Sequence, residues 1–559
     1  MKEALLNLSH KETRMSLAGA LYAALLLHSL NKNRKASFSW KKFQKFGCIK
    51  LCVLLCLVSA PLISMGQSVQ NYERLERAAE RIRQGQLTGA EAELNAVLRQ
   101  APREANALNL LGVIRAQQRR TGEAEQLFLR ALNAKPTLLG AFVNLGQLYL
   151  DLQKADRALW AFTEASKLAP DNAEINFNLA SLYEGKSEYG RALEYLGKIP
   201  SSQISADHLY LLIKSHLGLG NTREALGLAA PLKQRGTVSS DMAASFAALF
   251  AEHKLFDEAI QILEAAKGGG KPSFALLYNL GTSYYQKGER ERAEESYLAA
   301  LALQPDDAPT LRALAGLARA GGNLEKSLSY LVRARKIAPD SPAVLYDFGW
   351  TALNMNLLYD ALSVLERLHK MQPDHHGYLY ALAIARLHNG EAPRAQALIK
   401  RYIELRPQDG RGYYVLGATL YVLKNFPQAR TALERSLALV YYPDAEYYLG
   451  LISHEEGNTE QAIVWLRRAL KSDPTNSAAH SALGLLYVKG KDYNAAREAL
   501  ERAIELDPKD AAAHYQLGIV YARLGEKERS QSMFELNKKL NAAQRKQEMV
   551  GFRLIDPPK

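Results

Sequence analysis

Residues 142–170 read FVNLGQLYLDLQKADRALWAFTEASKLAP, and the placing of large and small side chains in this stretch decides the fold. Phe142, Leu145, Gly146 and Tyr149 recur three and four apart, as do Ala158, Phe162 and Ala165, so each half carries one apolar stripe at helical period. Pro170 closes the second half, since proline lacks a backbone donor and clashes with the preceding turn. The same frame returns as Leu277, Leu280, Gly281, Tyr284, Ala293, Tyr297, Ala300 and Pro305, and again as His480, Leu483, Gly484, Tyr487, Ala496, Leu500, Ala503 and Pro508. Prolines keep the beat: Pro102, Pro136 and Pro170, then Pro305, Pro339, Pro373 and Pro407, then Pro474 and Pro508, are each 34 residues apart within their series. Small residues at Gly146, Ala158 and Ala165 let the two helices of a pair approach closely while the bulky ones fill the spaces around them. Gly in the connecting turns, as in Lys287-Gly288-Glu289 and Lys489-Gly490-Lys491-Asp492, suits the point where the chain leaves the first helix.

A period of this length marks a stacked array. The pattern resembles the tetratricopeptide repeat at nearly all its signature positions, and the resemblance implies an all-α solenoid: a right-handed superhelix of antiparallel helical hairpins with the first helices on the concave side. About fourteen units fit between roughly Asn71 and Leu540. Bulky-Gly pairs at positions 111–112, 145–146, 280–281, 348–349, 416–417, 449–450, 483–484 and 517–518 anchor eight of them. The organisation expected is a basic leader over 1–66, an amino-terminal block over 67–200, degenerate units over 201–272 where Ala225 and Ala259 mark second helices, a carboxy-terminal block over 273–540, and a capping helix and tail over 541–559. The run Gly268-Gly269-Gly270-Lys271-Pro272 reads as a hinge between the blocks.

The formal net charge of +13 is concentrated at one end. Ten Lys or Arg against Glu3 and Glu12 give residues 1–66 a charge of +8, and the remaining +5 is spread over almost five hundred residues with both signs interleaved, which argues against a nucleic-acid partner. Lys41, Lys42, Lys45 and Lys50 precede an apolar run over 51–65, and Ser64-Met65-Gly66 supplies small residues at signal-peptidase spacing. Cleavage after Gly66 and retention as a membrane anchor are the two outcomes this order allows, and both place the repeats outside the cytoplasm, periplasmic or extracellular. Cys48, Cys52 and Cys56 fall in the same apolar setting without His or carboxylate neighbours, as small filler and not as a metal site.

No constellation for catalysis, metal or cofactor emerges. The Gly-rich run has Ala265 and Pro272 where a phosphate loop needs Gly and a hydroxyl. Asp374-His375-His376 sits at a boundary between repeats, and His454-Glu455-Glu456 has Asn458 where a zinc protease needs its second His. Asn144, Asn178 and Asn279 share one repeat position, and Asn109 lies one position earlier in its unit. This row resembles the asparagine ladder by which some members of the family grip a peptide backbone, an amide being able to donate to a carbonyl and accept from an N–H. Asp347, Val415, Tyr448, Ala482 and Gln516 interrupt the row, and Asn-Leu-Gly is also an ordinary string on an exposed repeat face. Tyr413-Tyr414 and Tyr447-Tyr448 offer aromatic contacts or core. The function expected is a non-enzymatic exported scaffold or adaptor that holds a protein or extended peptide on a continuous polar inner surface. The alternatives are a targeting subunit of a multi-chain enzyme and a membrane-tethered assembly factor for an export or polysaccharide machine.

Overall fold

A computed structural model describes residues 69–234 and 236–544, and these form α-helices and short turns with no strand. The leader, its cysteines, the apolar run over 51–65 and the tail beyond residue 544 lie outside the described residues. Two compact units divide between Gly220 and Asn221. The first holds α1 (69–83), α2 (Leu87–Gln100), α3 (Ala105–Gln117), α4 (Thr121–Ala134), α5 (Leu139–Asp151), α6 (Ala155–Leu168), α7 (Ala173–Gly185), α8 (Tyr189–Leu196) and α9 (Ala206–Gly218). The second opens with α10 (Thr222–Ala229), α11 (Ser240–Glu252), α12 (Phe256–Gly269), α13 (Phe274–Lys287), α14 (Arg290–Leu303), α15 (Ala308–Ala320), α16 (Leu324–Ile337), α17 (Pro342–Asn354), α18 (Leu358–Met371) and α19 (His376–His388). It continues with α20 (Ala392–Leu405), α21 (Gly410–Val422), α22 (Phe426–Leu439), α23 (Pro443–Glu455), α24 (Thr459–Ser472), α25 (Ser477–Lys489), α26 (Tyr493–Leu506), α27 (Ala511–Arg523) and α28 (Lys527–Gln544). Odd-numbered helices are first helices and even-numbered ones second helices; the first unit is an all-α stack of four hairpins followed by the first helix α9, and the second unit opens with the second helix α10 followed by nine hairpins.

The turn between a first and a second helix carries one residue in the left-handed region. Those residues are Gly85, Arg119, Gln153, Ser187, Gly220, Lys254, Gly288, Gly322, Asn356, Gly390, Lys424, Gly457, Lys491 and Gly525. Their spacing is 34 except for single steps of 33 at Ser187–Gly220 and Lys424–Gly457, so the register runs unbroken through the region of poor consensus. In the turn after α25 the left-handed residue is Lys491, with φ 63, and not Gly490, whose φ of −77 is ordinary. The prolines stand two residues past the last helical residue and act through the residue before them. Ala169 is driven to φ −143, ψ 74, outside the helical region as a pre-proline residue must be, while its N–H still donates to Ala165. A capping residue follows two positions on: Asn172, Asp307, Asn476 and Asp510 each accept from the N–H three residues ahead. Such a cap contributes about 1 kcal/mol.

Close approach explains the small residues. A methyl group at Gly146 would stand 2.8 Å from the Phe162 ring, and one at Gly417 only 2.5 Å from Leu433, so the large side chain of the second helix occupies the space a Cβ would need. The region expected to be degenerate keeps its hairpin rhythm with one shortened second helix, α10, whose eight residues run into the 3-10 turn Ala230–Lys233; just before the region α8 is also eight residues long, and the 3-10 turn Ser201–Gln203 follows it after residues 197–200. The Gly-rich run lies inside the second unit. It joins α12 to α13, with Gly270 extended, Lys271 accepting from Ser240 and Ser273 capping α13, and α11 packs on α13 beside it. The break between compact units falls about fifty residues earlier. The polar stretch expected as a cap from Asn541 onward is, as far as residue 544, the end of α28.

Candidate peptide-binding surface

First helices of successive hairpins touch one another, as α7 and α9, α11 and α13, and α25 and α27 do, while second helices do not pack on one another to that degree. Within each unit the first helices therefore line the inner side. On that side of the first unit the amide of Asn144 on α5 donates to Oδ1 of Asn109 on α3 at 3.0 Å. The bond spends one donor of Asn144 on the acceptor of Asn109, and leaves both amide donors of Asn109 together with the second donor and the carbonyl oxygen of Asn144. Asn178 on α7 is half-buried and has no hydrogen-bond partner among the described residues. Around these amides stand Gln147, bonded to Asp151 at 3.0 Å, the exposed Ser181, and Phe177, whose ring lies 4.5 Å from His208. Lys214 of α9 closes the row with a 2.8 Å ion pair to Glu184.

In the second unit Asn279 spends its donor on the backbone, giving a 3.0 Å bond to the Ala244 carbonyl of α11. Asp347, which replaces Asn in the row, is held by Arg312 at 2.5 Å and Arg319 at 3.5 Å. The continuous polar surface expected from stacking is interrupted farther along. Every residue of α19 from Gly377 to Ala385 is buried, together with Leu387 and His388. One position before the asparagine row runs a column of tyrosines, Tyr278, Tyr346, Tyr380, Tyr414 and Tyr447, with Arg312 in the same register. Tyr380 is 0% exposed and meets Trp350 of α17 at 6.5 Å and Tyr402 of α20 at 5.4 Å. Tyr414 meets Tyr448 at 6.2 Å. Of the pairs singled out in the sequence, Tyr414 and Tyr448 are thus core, and Tyr447 packs half-buried against it. Asn109 belongs to this tyrosine column, as its place in the 34-residue frame requires.

Charge in the closed region is internally balanced. Burial alone would raise the Asp409 carboxyl, but hydrogen bonds from Arg411 and Tyr402 hold it down at about 2. Asp374 is taken by Arg401 at 2.8 Å, and burial holds His375 and His376 below the usual imidazole range. His454 lies 2.8 Å from the Lys489 amine. Among the described residues no three His, Cys, Asp or Glu come together as metal ligands would, and no helix is long and apolar enough to cross a membrane.

The family model described as tetratricopeptide repeat matches residues 75–138, 143–202 and 278–342, and the one described as TPR repeat matches 450–490 and 484–525. The model for anaphase-promoting complex, cyclosome, subunit 3 matches 354–436. Protein O-mannosyl-transferase TMTC1 of Homo sapiens is 26% identical over 206 residues, which is 36% of this chain and 23% of that protein. Protein O-mannosyl-transferase TMTC3 of Mus musculus is 36% identical over 84 residues, 15% of this chain and 9% of that protein. The chain thus spans less than a quarter of the length of these relatives. Among solved structures, the APC/C hetero-tetramer Cut9-Hcn1 aligns at 17% identity and TM-score 0.42, covering 80% of this chain and 95% of that one. A tetratricopeptide repeat protein from Parabacteroides merdae aligns at 19% identity and TM-score 0.37, covering 44% and 98%.

Proposed function

Because this chain belongs to the tetratricopeptide repeat family, we propose that it is a non-enzymatic scaffold or adaptor working outside the cytoplasm, and that the inner face of its first unit holds an extended peptide or a partner helix. One observation carries this: Asn178 has no hydrogen-bond partner among the described residues, and the Asn109–Asn144 pair of the same row keeps three N–H donors and the Asn144 carbonyl oxygen uncommitted. A peptide backbone offers the matching carbonyl and N–H, so such a face holds main chain without reading side chains. Asn279 contributes less to this grip because one of its two amide donors is already committed. No nucleic acid, metal or cofactor enters the proposed role.

The test is capture. The chain from Gln67 onward is purified and shown to be helical, and envelope proteins crosslinked to it in cells are compared with those crosslinked to the Asn144→Ala, Asn178→Ala double variant. Loss of the main captured species in the double variant supports the inner face of the first unit, and equal capture moves the contact elsewhere. Sequencing of the extracted protein's amino terminus tests export: a chain starting at Gln67 indicates a cleaved leader, an intact leader a tether.

The similarity to protein O-mannosyl-transferases favours a second reading, in which the array targets an enzyme whose catalysis resides on another chain. Activity appearing only in a co-purified complex would decide for it.

A further inference from the structure

Four aromatic rings meet where α19 starts. The ring of His375, the residue just before the helix, lies 3.8 Å from that of Tyr378 at an interplanar angle of 24°, and 5.2 Å from that of His376 at 15°. Tyr378 in turn meets Tyr346 of α17 at 5.5 Å. Gly377 lets these rings settle on the backbone, since a methyl there would stand 3.2 Å from the Tyr346 hydroxyl and 3.3 Å from Cε1 of His375. The cluster thus joins α17 to α19, first helices of successive hairpins that touch one another. Behind it α19 is buried along nearly its whole length.

The setting favours neutral imidazoles. Nδ1 of each ring is buried without a hydrogen-bond partner, whereas a protonated ring carries an N–H on both nitrogens and needs an acceptor for each. The first turn of α19 adds the positive end of its dipole. Arg411 of α21, and Arg406 in the turn before it, bring two more positive charges to His376. The carboxylates of the surrounding elements are spent on other groups: Asp347 of α17 on Arg312 and Arg319, Asp374 on Arg401 of α20, and Asp409 on Arg411 and the Tyr402 hydroxyl. Glu366 of α18 is spent on Arg386 of α19. His369 of α18 and His388 at the far end of α19 are the other imidazoles on these helices. Burial holds both rings of the pair below the ordinary imidazole value, and at His376 the neighbouring Arg406, His375 and Arg411 add to it; the backbone of His375 and the carboxylate of Asp409 act the other way.

We propose that the His375–His376 pair makes this joint acid-sensitive: proton uptake by the two rings loosens the start of α19 from α17 while the other hairpins stay folded. Two like charges would stand 5.2 Å apart at a helix N-terminus, with the nearby carboxylates already engaged. Each hairpin contacts chiefly its neighbours, so the second unit yields at this joint and not as a whole. Rings that bind protons less readily in the folded chain than in the unfolded one give stability that is complete above about pH 6.5 and is lost as the pH falls below it. The joint is independent of the peptide-holding role proposed for the first unit.

Hydrogen exchange of the purified protein, read by mass spectrometry and corrected for the intrinsic pH dependence of amide exchange, tests this between about pH 7.5 and pH 5.5. Amides over 377–382 are expected to lose protection about tenfold or more, while those of α5 and α6, which contain no histidine, keep theirs. The double variant His375→Phe, His376→Gln keeps a ring on Tyr378 and removes both titrating groups, and its protection over 377–382 is expected to be equal at the two pH values. His388→Gln is expected to leave the loss as it is in the unaltered protein. Exchange of the imidazole C2 hydrogens gives each ring's own titration without any substitution, and the midpoints of His375 and His376 are expected below about 6.5. Midpoints at or above that value would overturn the proposal. So would constant protection in the unaltered protein, the same loss in a folded double variant, or a loss confined to the His388 end of α19.

Discussion

At seven of the fourteen turns a side-chain-bearing residue holds a positive φ: Arg119, Gln153, Ser187, Lys254, Asn356, Lys424 and Lys491. The left-handed conformation costs an L-residue about 1–2 kcal/mol, whereas Gly adopts it freely at an entropic cost of about 0.5–1 kcal/mol in the unfolded chain. Gln153→Gly is therefore expected to stabilise the first unit by up to about 1 kcal/mol. The mirror change, Gly288→Ala, is expected to destabilise the second unit by up to about 1 kcal/mol, nothing lying within 4 Å of the added methyl to complicate the comparison. Urea unfolding of each variant checks both, and a stabilising Gly288→Ala would contradict the register assigned to the turns. These positions show what a sequence frame yields and where it slips. Lys489-Gly490-Lys491 places a turn correctly, but glycine's presence does not say which residue bends, since the turn is fixed by the length of the first helix and the bend falls where that helix ends.

At the scale of the helix, neighbouring hairpins are joined by a recurring device. Tyr149, Tyr284 and Tyr521, each on a first helix, donate to Glu125, Glu264 and Glu501 on the second helix of the preceding hairpin at 2.8, 2.9 and 2.8 Å. Arg157, Arg292 and Arg529 of their own second helices cover the rings. Burial, and then the adjacent carboxylate, push all three phenols up to about 12. A folded-state value above the unfolded one near 10 means the contribution is complete below pH 10 and is lost as pH rises through 12. The melting temperature is expected to be insensitive to these groups up to about pH 10 and to fall between about 10 and 12, with phenolate absorbance at 295 nm rising over the same interval. Glu264→Gln, which removes the negative charge, is expected to shift part of that absorbance change to lower pH; an unchanged titration would sink the assignment. The close helix contacts give a second check. Gly417→Ala adds a methyl 2.5 Å from Leu433 and is expected to cost about 1–3 kcal/mol through overpacking, less the roughly 1 kcal/mol that Ala gains as a helix former.

Across the whole molecule, each hairpin contacts chiefly its neighbours, so stability is a sum of local terms and unfolding need not be concerted. The eight-residue α8 and α10, shorter than the fourteen-residue second helices such as α6, bury little: Ala192 and Leu196 in one, Ala225 and Ala229 in the other. Their amides are expected to exchange with solvent well before those of α19 and α21, which belong to the largest core cluster. Hydrogen exchange read by mass spectrometry checks this, and protection of α10 equal to that of α19 would count against it. The sequence by itself determined the hairpin, the 34-residue register, the eight bulky-Gly contacts and the position of the asparagine row, because all of these follow from side-chain volume and helical period over a few turns of chain. Only the tertiary structure decided that Asn144 and Asn279 each spend a donor inside the protein and that α19 is buried along nearly its whole length. Those outcomes depend on which side chains of separate hairpins arrive at the same point in space, and a one-dimensional repeat fixes the spacing of such residues without fixing whether they meet.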